Sequence, residues 1–221
     1  MHGLPNVEQS YGVEFVRKGI HLCSLSIPII YYFIPKATAL AILIPLTLLF
    51  AVTDFARHRV PAISSLYLQN FGWLLRSHER DDTRRSFTGA TYVLLSAVIG
   101  ILVFPKVVFI SAFAILIVSD TLAALVGRKY GTKPFLKKSR AGALAFLVSA
   151  LAVIAVAPKI HYLPTEYFIG AIGAVIGTVA ESLSISVDDN LSIPISIGVA
   201  MWVLYALLLP SVNVFSLDAL R

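Results

Sequence analysis

Apolar runs long enough to cross a hydrocarbon core of about 30 Å recur along the whole chain. They are Gly19–Pro35, Ala37–Thr53, Ser86–Pro105, Val107–Val126, Ala141–Pro158, Leu163–Ala180 and Leu191–Val214. Their spacing predicts about seven transmembrane helices. With 57% hydrophobic and only 14% charged residues over 221 positions, the composition is that of a membrane protein. No linker is long or polar enough to divide the bundle, so residues 1–221 read as one all-α, polytopic domain. Met1 to Lys18 is polar and carries Glu8 and Glu14, which argues against a cleavable signal peptide. Cys23 is the only cysteine, which excludes an intrachain disulfide and a cysteine-based metal cluster. No internal repeat is visible, which weighs against the inverted-repeat transporters.

The basic residues sort by side. The N-terminus and the loops after the second, fourth and sixth spans hold fourteen of them, and the opposite side holds four: Lys36, Lys106, Lys159 and Arg221. By the positive-inside rule the N-terminus is cytoplasmic and the C-terminus outside. Such a basic face also suits anionic lipid. Nucleic acid is an improbable partner, because no recognised binding motif accompanies the charge.

The longest segment between spans runs from Asp54 to Arg85. Within it Ile63, Leu66, Tyr67, Phe71 and Leu74 recur at helical spacing opposite Ser65, Gln69, Gly72 and Arg76. That pattern predicts one amphipathic helix lying in the membrane interface.

Four polar clusters fall on the cytoplasmic side in this topology. In VRKGIH, Arg17, Lys18 and His21 stand at the entry of the first span, with Arg17 and His21 on one face. In the fourth span Asp120, Ala123, Ala124 and Gly127 follow helical spacing, so an aspartate deep in an apolar helix is flanked by small residues. A carboxylate there costs several kcal/mol on insertion scales, which makes function its default reading. The small residues suit either a neighbouring helix or a ligand groove.

Directly after come six Lys and Arg within thirteen positions: Arg128, Lys129, Lys133, Lys137, Lys138 and Arg140. Glycines among such cations are what a polyphosphate needs, although no Walker A loop is present. In the sixth span Gly170, Gly173, Gly177 and Glu181 share a stripe, and Asp188, Asp189 and Asn190 follow in a short loop. Adjacent carboxylates facing a basic loop suit Mg²⁺ held between protein oxygens and substrate phosphates. Together these parts fit phosphoryl transfer to a membrane lipid.

At these residues the chain resembles the CTP-dependent lipid kinase family of dolichol kinase, phytol kinase and the CTP-dependent diacylglycerol kinase. The likeness runs through VRKGIH, RRSFTGATYVLL, SDTLAALVGRKYG, KKSRAG and ESLSISVDDNLSIP, the last with Pro194 in the helix that follows. The resemblance implies transfer of the γ-phosphate of CTP to a membrane alcohol with a divalent metal, and it points to Arg17, Lys18, Asp120 and Gly127 as needed for activity. One position departs from the family: Ala141 stands where an acidic residue usually precedes the glycine, here Gly142. Phosphatidate cytidylyltransferase and the CDP-alcohol phosphotransferases are rivals whose signatures the chain lacks.

The expectation is therefore a site open to the cytoplasm between the first, fourth and sixth spans. Asp120, Arg17, Lys18 and His21 are the candidate catalytic residues. Gly127, Arg128, Lys133, Lys137, Lys138 and Arg140 would bind nucleotide. Asp188, Asp189, Glu181 and Asp120 would hold the metal. Ala124, Gly173 and Gly177 would open a narrow groove for the acceptor, which favours a polyprenol-like alcohol over diacylglycerol. The reading of another class is a small ion-coupled transporter built on the buried Asp120 and Glu181.

Overall fold

A computed structural model describes residues 11–75, 79, 87–183 and 187–219. The first apolar run is split into α1 (Tyr11–Cys23) and α2 (Ser26–Phe33). Pro28 has no N–H to return to the Ser24 carbonyl, which takes the Ile27 N–H at 3.0 Å instead. Then come α3 (Lys36–Arg57), α4 (Pro61–Phe71), α5 (Gly89–Val103) and α6 (Lys106–Tyr130). A two-stranded antiparallel hairpin, β1 (Pro134–Phe135) and β2 (Lys138–Ser139), leads into α7 (Arg140–Val156). The chain ends with α8 (Pro164–Leu183) and α9 (Asp189–Leu208), followed by a short 3₁₀ turn at Ser216–Ala219.

The structure is a helical bundle. Among the described residues α3, α6, α8 and α9 are long and apolar enough to cross a membrane, whereas α5 and α7 are apolar but only 15 and 17 residues long. The hairpin is a small addition to the helical bundle: residues 134–135 and 138–139 pair as strands, and 136–137 form the turn between α6 and α7. Its turn puts Leu136 in the left-handed region at φ 52°, and the Lys137 N–H anchors it to the Ser182 carbonyl at 3.0 Å.

α6 is the axis of the bundle, packed by α1, α2, α5, α7, α8 and α9. Phe113, Ile115, Leu116 and Ile117 in its middle are fully buried. α3 lies at the edge against α5, with Ile42, Leu49 and Val52 exposed, a surface that water disfavours and lipid tails accept. The amphipathic stretch is helical as α4, continued by a 3₁₀ turn at Gly72–Leu74; Arg76 of its polar stripe lies outside the described residues. Leu66, Phe71 and Trp73 are exposed, while Arg57 lies over the half-buried Tyr67 ring, 5.3 Å from its centroid.

Glycine decides how close the helices come. A Cβ on Gly142 would sit 3.1 Å from the Ala123 carbonyl oxygen and 3.5 Å from the Gly127 Cα, so α6 and α7 touch backbone to backbone. The stripe on α8 is likewise filled. A Cβ on Gly173 would meet Met201 at 2.9 Å, and one on Gly177 would meet Ile197 at 2.6 Å and Phe146 at 3.2 Å. The groove expected at Gly173 and Gly177 is therefore a helix contact, closed by side chains of α7 and α9.

One end of the bundle spends its cations on backbone. Lys36 Nζ donates to the Leu102 carbonyl, Lys106 Nζ to Ile34, and Lys159 Nζ to Ile154 and Ala157, at 2.7–3.1 Å. Each caps a helix C-terminus, where orphan carbonyls and the helix dipole favour positive charge. Burial holds the Lys159 ammonium below its usual pKa, partly offset by Glu166.

Candidate functional site

The other end carries the sequence clusters. α1 lies against α6 so that Lys18 pairs with Asp120, and His21 Nε2 stands 3.6 Å from the same carboxylate. Three residues apart on α1, Lys18 and His21 face one side, as helical spacing requires. One turn earlier Glu14, which is buried, pairs with Arg17 at 3.1 Å and with Arg128 of α6 at 3.3 Å. Glu14 is a candidate site residue that the motif reading missed. Its signal was available in the i,i+3 spacing to Arg17, but only the fold brings Arg128 to it.

Ser139 caps α7 by accepting the Gly142 N–H at 3.1 Å, the usual role of a serine before a helix. A Cβ on Gly127 would lie 3.1 Å from that hydroxyl oxygen, and one on Gly131 would lie 2.2 Å from the Gly127 carbonyl oxygen. Gly127 thus serves the α6–α7 crossing, and Ala124 beside it is half-buried. Among the expected nucleotide residues, Arg128, Lys133, Lys137 and Arg140 are exposed at this rim.

The hairpin holds Lys138 above two carboxylates, 3.1 Å from Asp189 Oδ2 and 3.4 Å from Glu181 Oε1. Burial lowers the pKa of this ammonium, but Asp189, Glu181 and the more distant Asp120 outweigh it and leave the pKa above its usual value. Asp120 also interacts electrostatically with Glu181 and Asp189, so carboxylates from α6, α8 and α9 share one charged neighbourhood. Asp188 is used differently. Its Oδ1 accepts the backbone N–H and the side-chain amide of Asn190, which makes it the N-cap of α9.

The donor set suits a divalent cation of the Mg²⁺ type. Such ions take one or two carboxylates and complete their shell with water and substrate phosphate. Glu181 and Asp189 reach a single ammonium, so they lie within the span of one cation. Among the described residues no three His, Cys, Asp or Glu side chains are grouped for metal binding.

A second polar group sits at the edge of the same end. Asp54 Oδ2 accepts from the Thr88 N–H and from the hydroxyls of Thr88 and Thr91 at 2.7–2.9 Å, and Arg57 lies 3.2 Å from its other oxygen. Glu79 Oε1 accepts the Gly89 N–H at 3.0 Å. Two carboxylates thus serve the N-terminus of α5 and tie it to α3.

No protein-family model and no solved structure matches this chain. An uncharacterized protein of Rickettsia prowazekii is 31% identical over 190 residues, covering 85% of this chain and 93% of that protein. CTP-dependent diacylglycerol kinase 1 of Saccharomyces cerevisiae is 26% identical over 201 residues, 80% of this chain and 63% of that protein. Its namesake in Schizosaccharomyces pombe is 28% identical over 156 residues, 64% of this chain and 70% of that protein. The chain belongs to the family of the Rickettsia protein, and its distant homology to the two fungal proteins supports the CTP-dependent lipid kinase family.

Proposed function

We propose that the protein transfers the γ-phosphate of CTP to the hydroxyl of a membrane lipid, with its active site on the cytoplasmic face of a seven-span bundle. The observation that carries this reading is the meeting of Asp120, Glu181 and Asp189 with Lys18 and Lys138 at one end of the helices. An ion pathway needs the buried acids but has no use for the exposed cations of the hairpin.

In this reading Arg17, Arg128, Lys133, Lys137 and Arg140 neutralise the phosphates of CTP. Glu181 and Asp189 would hold Mg²⁺, and Lys138 beside them would meet phosphate oxygen. A metal bound there would supply neutralisation of phosphate charge. Asp120, oriented by Lys18 and His21, positions the lipid hydroxyl and accepts its proton as oxygen bonds to the γ-phosphorus and CDP leaves. Phosphoryl transfer relies on positioning and charge more than on base strength, so a carboxylate suffices.

The acceptor is a lipid alcohol. Met201, Ile197 and Phe146 fill the space at Gly173 and Gly177 that would have favoured a polyprenol, and the two fungal relatives are named for diacylglycerol, so diacylglycerol leads and polyprenols follow. The test is a thin-layer assay with γ-labelled CTP, ATP, GTP or UTP against diacylglycerol, polyprenol, phytol and geranylgeraniol in vesicles. Labelled lipid from CTP is the expected result. Folded protein that labels none of these acceptors from CTP overturns the reading, and ion-driven uptake without nucleotide turnover would install the transporter.

A further inference from the structure

The buried carboxylate of Glu14 pairs with two guanidinium groups that come from different elements. Arg17 follows three residues later on α1, and Arg128 lies in the last turn of α6, beside Gly127 and just before the basic hairpin. The Glu14 side chain is 5% exposed, that of Arg17 14% and that of Arg128 39%, so the acid is enclosed, Arg17 is mostly covered and Arg128 reaches the rim. A contact needed only to fasten α1 to α6 would be complete with one arginine, and Lys18 and Asp120 already join these helices. A carboxylate shared by two guanidiniums fixes their separation.

We propose that Glu14 is a positioning residue that sets Arg17 and Arg128 as a paired clamp for the triphosphate of the nucleotide. This rests on the reading of the site as a nucleotide-dependent kinase and adds a residue to it. Glu14 touches no substrate; it fixes two cations at a separation that suits oxygens of neighbouring phosphates. Loss of its charge removes the ion pair that each guanidinium makes with it, which would loosen their spacing, weaken binding of the donor and leave the lipid untouched.

The test compares Glu14→Gln with wild type in detergent, using inorganic triphosphate and CTP as probes of thermal unfolding, with kinetics wherever turnover is found. The expected result is an unliganded Tm within a few degrees of wild type, a Kd for triphosphate raised about tenfold and an unchanged KM for lipid, with Glu14→Asp recovering part of the loss. In a background carrying Arg17→Gln and Arg128→Gln, Glu14→Gln adds nothing further, because the acid acts only through those residues. Unchanged triphosphate affinity in Glu14→Gln, or an additive loss in that background, overturns the proposal. If Glu14→Gln fails to fold, the single Arg17→Gln and Arg128→Gln variants decide it, and wild-type affinity in either is fatal. Triphosphate binding is read without turnover, so a protein that binds through this clamp yet phosphorylates no lipid would sink the kinase reading alone.

Discussion

Lys18 of α1 is paired with Asp120 of α6 across 102 positions of sequence, at the end of the bundle where the basic hairpin begins. A carboxylate within an apolar helix is tolerable when a cation neutralises it, and the cation here comes from another helix. Asp120→Asn keeps the shape and removes the charge. We expect transfer to fall by at least about 100-fold, the usual scale for loss of an acid–base group, while the protein still extracts as a folded species by size-exclusion chromatography. A well-folded, active variant would remove Asp120 from the mechanism.

Lys138 lies between Glu181 and Asp189, and its removal leaves two like charges facing each other. Lys138→Met should loosen the hairpin, read as faster backbone hydrogen exchange over residues 134–139. The folded-state pKa of Lys138 is raised, so its stabilising contribution is complete below the unfolded value of about 10.4 and is lost only as pH climbs through the folded one. Hairpin protection, corrected for intrinsic exchange, should therefore be flat from pH 7 to 9. A loss within that window would show that another group holds the hairpin.

Gly177 is packed against Ile197 and Phe146. Gly177→Leu should destabilise the bundle by about 1–3 kcal/mol, the range for overpacking a filled interior. The measurement is thermal unfolding in detergent together with KM for both substrates. A raised KM for lipid alone, at unchanged Tm, would restore the groove that the packing argues against.

In a cysteine-free background made with Cys23→Ser, Lys133→Cys and His161→Cys sit at opposite ends of the bundle and on exposed side chains. Impermeant maleimide applied to intact cells should label the second and spare the first. Labelling of both from one side would end the proposed topology.

The apolar runs, the bias of charge to one side and the isolated Asp120 could all be read from the sequence, because each is a local property: length, composition and period along one helix. Even so, the first run is broken at Ser24 and Leu25, one turn ahead of Pro28, and the residues of the hairpin gave no strand signal, since two-residue strands have no period to detect. The partners of the small-residue stripes and of Glu14 were decided by tertiary structure. A row of glycines reads the same whether a ligand or a neighbouring helix fills it, and only the positions of Met201, Ile197 and Phe146 settle which. Asp188 and Asp189 are adjacent and chemically alike, yet one caps α9 and the other meets Lys138, because Asp188 is the non-helical N-cap residue at ψ 137° whereas Asp189 is the first residue of the helix. Ion pairs such as Glu14–Arg128 and Lys18–Asp120 depend on which helix faces which, a property of the packed bundle that no single segment encodes.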